Sequence, residues 1–301
     1  MLDVRRLHML RELAERGTIA ATAQALGYTP PAISQHLAAL ERQAGVALLE
    51  RQGRWVTLTP AAQLLVGRTE RVLAELEAAE AELAAGEVRG TVRLAAFPTA
   101  AATIVPHAMA SFAEQHPAAE VTLAELEPED ALPALKLGEA DVAVVHSYDF
   151  SPRAPDASVE LTLLLEDDLH LAVPADHPAA GDVVDLAALA GERWIAGYVD
   201  TACHRVVVTS CRAAGFEPRV AARSNDFRVV LALVAAGQGV AIIPGLGFDT
   251  VPDGVCLARP AGGALRRRIL AAVRTGSAGH PGVAALVRAL ETAGHTQRAT
   301  A

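Results

Sequence analysis

Three consecutive polar residues, Ser34, Gln35 and His36, interrupt an otherwise apolar helical segment with the sequence PPAISQHLAALE. The apolar residues around them recur at i, i+4 and i+7, which predicts one buried stripe and places the polar three at or beside the opposite face. A glutamine there can pair with N6 and N7 of adenine, and a good bidentate pair is worth roughly 1–3 kcal/mol of discrimination. Ser34 suits a phosphate or a base and His36 suits a phosphate, whereas the alternative interpretation is a solvated polar face.

Two short helices joined by a tight turn are predicted to hold these side chains in place. The first covers Ile19–Leu26 and ends at Gly27, because glycine readily adopts the left-handed conformation at a helix C-terminus. Thr29 caps the second helix, and Pro30 and Pro31 fall in its first turn, where a missing N–H costs little. A short helix braced across a second one that offers polar side chains is the geometry of a helix-turn-helix that reads DNA.

Two short extended segments follow, at 46–51 and 55–58, around a tight turn with arginines near its tip. This pattern predicts a small hairpin wing whose arginines reach phosphates or the minor groove, although the same residues also fit a solvated surface pair. We expect Thr29 both to cap its helix and to touch a phosphate. The predicted DNA-binding residues are Thr29, Pro31, Ser34, Gln35, His36, Arg51 and Arg54.

A long helix is predicted from Pro60 to about Ala85, with Thr59 as its N-cap and Gly86 at its end. Its apolar seam falls at alternating a and d positions over about three heptads, and glutamates populate other faces. The pattern predicts a dimerising coiled coil, because two-fold symmetry doubles the specificity of one short reading unit. The alternative is a long helix packed on its own body. The seam consists of Leu65, Thr69, Val72, Leu76, Ala79 and Leu83.

After a short linker the pattern changes to alternating strands and helices, and continuous apolar runs indicate a parallel sheet covered on both faces. Two stretches, 134–145 and 233–244, share the order of helix end, glycine and buried strand. We therefore predict two similar α/β lobes with a cleft between them, while a single α/β enzyme domain is the alternative. The strand-like segment 161–173 is predicted to be broken at Asp167 and Asp168.

The carboxyl ends of the predicted strands are where an open α/β sheet binds small molecules. Pro98 to Ala100 follow the first such strand and precede a helix that is predicted to begin near Thr103, whose N-terminal N–H groups favour an anion such as a carboxylate. The other candidates follow the strand ending at Val145 or precede helices of the second lobe, and the alternative is that they only cap those helices. The predicted effector-binding residues are Thr99, Ala100, Thr103, His146, Tyr148, Thr201, Cys203, Asn225 and Phe227.

The chain has 301 residues, enough for two or three compact domains. Its net charge of −9 is unevenly spread, because residues 1–60 hold seven arginines against five acids, a surplus of +2, and the other 241 residues therefore carry −11. A mildly basic DNA-binding part fused to an acidic body fits this distribution. No apolar run is long enough to cross a bilayer, a signal peptide is not evident, and the three cysteines are too few for a disulfide framework, so we expect a cytoplasmic protein without a membrane partner.

Two other functional classes are weighed against a DNA-binding regulator. The sequence contains no nucleophile elbow, P-loop, metal-spaced histidine cluster or complete GxGxxG, so we expect neither an enzyme nor a bound cofactor or metal. A solute-binding protein with an accessory head is the other alternative, and the missing signal peptide counts against it.

In combination these features resemble LysR-type transcriptional regulators over essentially the full length of the chain. The N-terminal residues that carry the resemblance are Leu7, Leu10, Leu13–Thr18, Ala20, Ala21, Ala25, Leu26, Pro31–Leu37, Leu40, Glu41, Gly45, Leu48–Arg51 and Val56–Thr59. The C-terminal half adds Gly138–Ala143, Ala175–Pro178 and Val234–Pro244. The N-terminal set is highly specific in combination, and the C-terminal stretches mainly fix the register.

The resemblance implies an α/β multidomain fold in three parts. These are an N-terminal winged helix-turn-helix DNA-binding domain over 1–59, a linker and dimerisation helix over 60–86, and a two-lobed effector domain like periplasmic binding proteins over 91–301. Lobe I would then cover about 91–162 and 267–293, and lobe II about 163–266.

The resemblance also implies partners and site residues. It implies a double-stranded DNA operator, a small-molecule effector bound between the lobes, self-association as a dimer or tetramer, and RNA polymerase as a further candidate partner. Thr99 stands at the family's usual effector-contact position. Pro30 replaces a glutamine that often reaches a base, so that contact is expected to be absent, and Leu49 conservatively replaces a common phenylalanine.

Peroxide-sensing relatives use two cysteines in the region of Cys203 and Cys211, so a redox-sensing regulator of the same family is the alternative function. Eight residues along a helix rise about 12 Å, whereas a disulfide needs Cα atoms within about 7 Å. A disulfide between these cysteines would therefore require local unfolding, and packing or ligand-lining thiols are the preferred interpretation.

Overall fold

A computed structural model gives the fold of the chain and describes residues 1–52, 55–83, 88–148, 156–199, 201–262 and 265–300. The N-terminal part is helical with one small hairpin, and the remainder is a mixed α/β body. The N-terminal elements are α1 (Val4–Arg16), α2 (Ile19–Leu26), α3 (Pro30–Ala44), β1 (Leu49–Gln52), β2 (Trp55–Leu58) and α4 (Pro60–Leu83).

Capping side chains and glycines set the bounds of the first three helices. Asp3, Thr18 and Thr29 each accept a hydrogen bond from a backbone N–H in the first turn of α1, α2 and α3. The glycine after each helix is left-handed, with φ of 72°, 69° and 72°. The apolar stripe of α3 is buried in a core shared with α1 and α4. The predicted helix-turn-helix is therefore confirmed, with α2 at the predicted bounds.

The hairpin β1–β2 is antiparallel and places Arg51 opposite Val56. Its first strand begins at Leu49 rather than at the predicted residue 46. The cause is the Glu41 carboxylate, which accepts two hydrogen bonds from consecutive backbone N–H groups at the start of the strand and fixes the preceding turn.

The alternative interpretation of the long helix, packing on its own body, holds in part for α4, and the dimerising coiled coil stays a prediction. Thr69 of the predicted seam is 1% exposed, and the backbone of Ala74 packs so closely on Gly276 that a Cβ there would collide with it. The helix is thus packed on its own body along one side. Other seam residues stay at the surface, with exposed fractions of 42% for Val72, 48% for Leu76 and 88% for Leu83.

The α/β body begins at Gly90. Its elements are β3 (Gly90–Ala96), α5 (Pro98–Ala102), α6 (Ile104–Gln115), β4 (Ala119–Glu125), α7 (Pro128–Lys136), β5 (Val142–Tyr148), β6 (Val159–Pro174), β7 (Val183–Val184), β8 (Arg193–Ala196), α8 (Ala202–Ala213), β9 (Arg219–Arg223), α9 (Phe227–Ala235), β10 (Val240–Pro244), β11 (Val255–Pro260), β12 (Leu265–Arg274) and α10 (Pro281–Thr300). Within the described ranges, no helix has both the length and the apolar character that a membrane span requires.

The strands form one mixed sheet in the order β4-β3-β5-β12-β6-β10-β8-β9, with β11 also paired to β6. The strands β3, β4 and β5 run parallel, as do β8, β9 and β10. In contrast, β12 is antiparallel to both β5 and β6. The predicted parallel sheet is correct within each half and wrong for the strands that join the halves.

Each half of the sheet carries its own apolar cores on its two faces. We call lobe I the part built on β3, β4, β5, α5, α6, α7 and α10, and lobe II the part built on β7 to β11, α8 and α9. The long strands β6 and β12 run through both. The predicted two-lobed α/β architecture is confirmed.

Three local predictions in the α/β body were wrong. First, β6 is one continuous strand of 16 residues, because Asp167 lies opposite Arg267 in the antiparallel register and its charge is compensated within the sheet. Second, the short helix α5 precedes α6, so Thr99 lies within a helix rather than in a loop. Third, β5 continues as far as Tyr148 instead of ending at Val145, because β12 pairs with it over that length.

Candidate functional site

The surface of α3 carries the first group of predicted site residues. Thr29, Pro31 and Gln35 are exposed. The Thr29 hydroxyl accepts a hydrogen bond from the Ala32 N–H at 3.4 Å, a long cap contact at the start of α3. The Gln35 amide therefore faces solvent from the first turns of a capped helix, in the position that a groove-reading helix uses.

Ser34 and His36 are half-buried beside that surface. The Ser34 hydroxyl donates to the Pro30 carbonyl at 3.0 Å, so its oxygen is left to accept hydrogen bonds. The His36 ring lies edge-on to Tyr28, with ring centroids 5.8 Å apart. Both side chains are thus held in place by contacts within the N-terminal part itself.

Of the two wing arginines, the structure describes only the backbone of Arg51. The backbone of Arg51 lies in β1, but its side chain is outside what the structure describes, and Arg54 lies outside the described residues. Their proximity to the exposed face of α3 stays a prediction.

A second site lies where β5, β12 and β6 run side by side. In their registers Tyr148, Arg267 and Asp167 occupy neighbouring positions. Arg267 is 1% exposed and Asp167 4%, and the Arg267 Nε donates to the Asp167 Oδ2 at 2.7 Å. Burial alone would lower the pKa of Arg267, but the neighbouring carboxylate outweighs it and the net shift is upward. Arg267 therefore stays charged beside Asp167 inside the sheet.

Arg267 also reaches lobe I. Its Nη2 donates to the Thr99 Oγ1 at 2.9 Å, and its guanidinium lies over the Phe97 ring, 5.3 Å from the centroid. Thr99, a predicted effector contact, thus touches a buried cation that the sequence reasoning did not identify.

The side chains of Ala100 and Thr103, the other two predicted residues near Thr99, present few groups that could bind a ligand. Ala100 is fully buried in the core of lobe I. The Thr103 hydroxyl donates to the Thr99 carbonyl at 2.7 Å and stabilises the turn between α5 and α6. Only the backbone of Ala100 and the hydroxyl oxygen of Thr103 are left for a ligand.

His146 and Tyr148 form a buried aromatic wall beside the ion pair. They were predicted to follow a strand, yet both lie within β5 and are 3% and 4% exposed. The His146 ring packs edge-on against Phe97 and Tyr148, at centroid distances of 4.8 and 5.3 Å. Burial raises the pKa of Tyr148, against the opposing effect of Arg267, so its phenol stays protonated.

Three predicted residues of lobe II converge on Gly197. A Cβ at that position would lie 2.7 Å from the Thr201 Oγ1, 2.8 Å from the Asn225 Oδ1 and 2.9 Å from the Cys203 Cβ. Thr201 also caps α8, and Asn225 accepts a hydrogen bond from the Tyr198 N–H at 3.2 Å. The absence of a side chain at Gly197 is what lets these groups meet.

Cys203 connects this cluster to the ion pair. Burial raises the pKa of its thiol to about 11, even though Arg267 acts in the opposite direction, and Tyr148 lies within interaction distance. Cys211 is fully buried further along α8, and burial raises the pKa of its thiol to about 12. Both cysteines are therefore thiols rather than thiolates at neutral pH.

Phe227 lies apart from the convergence at Gly197. It begins α9, and its ring packs 3.1 Å from where a Cβ on Gly247 would lie. It is half-buried against the core of lobe II, so the structure does not bring it together with the residues around Gly197.

The sequence reasoning missed four residues of this site: Phe97, Asp167, Gly197 and Arg267. Arg267 left one signal, because it shares a strand face with Ile269 and Ala271, both fully buried, and an arginine on an apolar face needs a partner. The identity of that partner depends on strand pairing and is not visible in the sequence.

The mouth of the site is bridged by charged residues. Arg205 on α8 donates to Glu129 on α7 at 3.0 Å, which ties lobe II to lobe I. Glu127, which precedes α7, has its pKa raised by burial and by Glu129, while Arg267 acts against this. The carboxyl groups of Glu127 and Glu129 therefore partly compensate the positive charge of the buried Arg267.

A cleft of about 870 Å³ opens beside Asp167 on β6. Its volume falls within the range of roughly 300–1,000 Å³ for small-molecule pockets. The nine predicted effector residues lie outside its lining. That lining consists of Leu165, Glu166, Asp167, Asp168, His170, Asp182, Gly245, Leu246, Phe248, Asp249, Leu257, Arg259, Arg266 and Gln297. Nowhere in the described part of the chain do three or more His, Cys, Asp or Glu side chains cluster as a metal ion would need.

Comparison with known proteins places both parts of the chain. Residues 4–63 match the family model of bacterial regulatory helix-turn-helix proteins of the lysR family, and residues 85–294 match that of the LysR substrate binding domain. The chain is 30% identical over 250 residues to the DNA-binding transcriptional dual regulator OxyR of Escherichia coli, covering 81% of this chain and 80% of that protein.

Two solved structures extend the similarity. A cysteine-mutant OxyR of Corynebacterium glutamicum superposes with a TM-score of 0.61 and 27% identity, covering 100% of this chain and 94% of that one. Full-length CbnR in complex with its target DNA superposes with a TM-score of 0.55 and 27% identity, covering 97% of this chain and 100% of that one.

Replacing Arg267 by methionine tests the buried ion pair. We expect the free energy of unfolding to fall by about 3–5 kcal/mol, because Asp167 is then left as a buried charge without its cation. The measurement is urea denaturation followed by circular dichroism.

The matched control is Arg266→Met on the same strand. The Nε of Arg266 contacts Asp168 at the same 2.7 Å, but the Arg266 side chain is 47% exposed. We expect that change to cost under about 1 kcal/mol, since exposed pairs contribute little. Equal losses for the two variants would contradict the assignment of the buried pair.

Proposed function

We propose a function for this chain on the premise that it belongs to the LysR family of bacterial transcriptional regulators. It is a DNA-binding transcriptional regulator controlled by a small-molecule effector that binds its α/β body. One observation carries this proposal. The same chain holds a helix α3 with an exposed Gln35 and an α/β body whose two lobes meet at the buried Arg267. The chain acts by binding rather than by catalysis, and it acts in the cytoplasm, where its operator lies.

We divide the chain into domains on the basis of its separate apolar cores. Residues 1–59 form the DNA-binding domain, 60–86 the linker helix and 91–301 the effector domain, with lobe I over about 91–162 and 267–293 and lobe II over about 163–266. Separate apolar cores in the N-terminal part and in each lobe support these boundaries.

Operator recognition rests on the start of α3. Gln35 reads a base edge, and Thr29 and Pro31 lie against the sugar-phosphate backbone. Because the proton of Ser34 is engaged by the Pro30 carbonyl, its oxygen accepts a hydrogen bond from the amino group of a base. His36, Arg51 and Arg54 add phosphate contacts, which makes binding depend on salt.

Self-association positions two or more copies of this surface. The exposed seam of α4 buries apolar area when two such helices meet, and this supports a dimer, with a tetramer as a pair of dimers. Two copies of α3 related by two-fold symmetry read two half-sites, which a single short helix does not achieve.

Replacing Gln35 by alanine tests the operator contact. A duplex selected by the wild-type protein from a random DNA pool serves as the probe, and anisotropy measures its affinity. We expect a loss of about 30-fold or more, because a bidentate contact worth roughly 1–3 kcal/mol is lost in each of two half-sites, about 2–6 kcal/mol together. The control is Gln115→Ala on α6, remote from α3, which should leave affinity unchanged. Equal affinities of the Gln35 variant and wild type would remove Gln35 from the interface.

The effector is proposed to be a small anion, most simply a carboxylate. The buried guanidinium of Arg267, the Thr99 hydroxyl and the N-terminus of α8 at Thr201 all favour negative charge in this region. The Asp167 carboxylate neutralises Arg267 in the present state, so a bound anion must share the cation with it. Cys203 and Asn225 line the opposite side from lobe II.

Replacing Thr99 by valine tests the effector site. Acetate, succinate and benzoate are titrated against the protein in a thermal-shift assay, and the best binder is carried forward. We expect its affinity to fall about tenfold in the variant, because one hydrogen bond to the anion is lost. Thr122→Val on the exposed face of β4 is the control and should bind as wild type does. Unaltered binding to the Thr99 variant would move the effector elsewhere.

A second candidate is redox sensing through Cys203 and Cys211. What supports it is the 30% identity to OxyR together with the position of Cys203 beside Arg267 at the start of α8. What weighs against it is the raised pKa of both thiols and their separation along one continuous helix. Sensing by disulfide formation therefore requires α8 to unfold in part.

Intact-mass measurement after mild peroxide treatment separates the two candidates. We expect no loss of two hydrogens at peroxide doses that leave surface methionines unmodified, because neither thiol is ionised. A loss of two hydrogens that disappears in Cys211→Ser would favour redox sensing over effector binding.

A further inference from the structure

The helix α7 joins the two places where regulation must act. Its N-terminal end faces lobe II beside the Arg267 site, because Glu129 contacts Arg205 on α8 and the charge of Arg267 acts to lower the pKa of Glu127. We call this the cleft end of α7. Its C-terminal end, at Lys136, lies against the N-terminal DNA-binding part. With nine residues the helix spans about 14 Å. A displacement at one end of the helix is therefore carried over that distance to the other end.

At the cleft end, α7 is tied to lobe II. Arg205 on α8 donates to the Glu129 Oε1 at 3.0 Å, and both side chains are more than a third exposed. A contact of this kind is weak and breaks readily when the lobes move relative to each other.

At the other end, two ion pairs tie lobe I to α1. Arg16 on α1 contacts Glu139, just beyond α7, at 2.6 Å. Lys136 contacts Asp156 at 2.7 Å and Glu15 on α1 at 3.7 Å. Lys136 is the only lysine in the chain. We call these two contacts between α1 and lobe I, Arg16–Glu139 and Glu15–Lys136, the α1 latch.

Both sides of the α1 latch are held firmly by their own parts. On the DNA-binding side, Glu12 is 2% exposed and accepts hydrogen bonds from Arg11 and Arg16. On the lobe side, Arg274 donates to the carbonyls of Leu135 and Ala140, which fixes the end of α7 on β12. The residues of the α1 latch are therefore each fixed to their own part, and a shift of one part against the other strains the α1 latch itself.

The junction between the two parts is almost filled. A cavity of about 20 Å³, room for about one water molecule, is lined by residues of α1, α4 and lobe I. Arg11 lines it with a buried Nε that finds no hydrogen-bond partner among the described residues, and Glu70, whose pKa is raised by burial, lines it as well. Because the fit is close, a rotation of lobe I moves α1 with it while the α1 latch holds.

We propose that α7 couples the cleft to the DNA-binding part, and that the α1 latch makes α1 follow lobe I when the lobes change their relative position. The proposal rests on the proposed function, since it assigns how the effector domain controls the orientation of α3. The contact between α4 and Gly276 is a second attachment, so loss of the α1 latch removes the coupling but leaves the chain assembled and able to bind DNA.

The first experiment is a double-mutant cycle on the full chain. Arg205→Gln breaks the cleft bridge, Lys136→Met with Glu139→Gln removes the α1 latch, and anisotropy gives the affinity for the duplex selected by wild type. We expect Arg205→Gln to change affinity about threefold in the wild-type background and to have no effect once the latch is removed.

A matched background controls for loss of surface charge. Glu217→Gln breaks the pair between Arg212 and Glu217, which has the same 2.6 Å length but lies within lobe II. Arg205→Gln should keep its threefold effect there. An effect that is absent in the wild-type background, or that persists without the α1 latch, overturns the proposal.

The second experiment needs no DNA and uses Lys136 as a unique reporter. Acetylation by an N-hydroxysuccinimide ester is followed by peptide mass spectrometry, with the N-terminal amine as internal reference. We expect Arg205→Gln to raise the rate at Lys136 about threefold and Glu217→Gln to leave it unchanged. An unaltered rate in Arg205→Gln overturns the coupling. Failure of the wild type to select any duplex would instead count against the proposed function, while this rate still reports on α7.

Discussion

The antiparallel pairing of β12 with β6 fixes how the two lobes are joined, and charge fixes that pairing. Arg266, Arg267 and Arg268 lie opposite Asp168, Asp167 and Glu166 in the register. The middle pair is buried, so a slip of two residues would place Arg267 opposite a leucine and leave two buried charges without partners. Such an arrangement costs several kcal/mol, far more than a flat apolar strand pair would lose by slipping.

The same pair determines the chemistry available between the lobes. Arg267 contributes a cation to a region otherwise formed by aromatic rings and a threonine hydroxyl. Asp167 neutralises this cation and also accepts a hydrogen bond from the Leu246 N–H at 3.2 Å, so the carboxylate is held from lobe II as well. An anion that binds here competes with Asp167 for the guanidinium. Binding is therefore linked to the fit between the lobes, since both partners of the pair lie on the strands that join them.

The sequence was informative where the cause of structure is local. Caps and glycines lie next to the helices they end, which is why α2 was predicted at the bounds Ile19–Leu26 and why the buried stripe of α3 was correct. Thr99, Thr201 and Asn225, which lie around Arg267 and Gly197, were predicted by the same logic, because strand ends and helix starts can be read from a short window.

The sequence was uninformative where partners are distant. Asp167 and Arg267 are 100 positions apart, and only pairing of β6 with β12 brings them together. Without that partner, two adjacent aspartates in a strand-like segment indicate a break, and this is why β6 was predicted as two strands. Gly197 was overlooked for a related reason, since its role depends on three side chains that meet only after lobe II has folded.

Two ion pairs connect α1 to lobe I, and among the described residues no apolar core is shared between them, which bears on regulation. An apolar interface of similar size would make one rigid body of the two parts, because burial of apolar area is not easily reversed. Partly exposed ion pairs contribute little net free energy, so the α1 latch can adjust its geometry at little cost while it holds through a movement of the lobes. At the same time they are directional, and Arg16 is already oriented by Glu12 at 3.0 Å. The arrangement therefore gives α3 a defined orientation in each state of the lobes without preventing passage between the states.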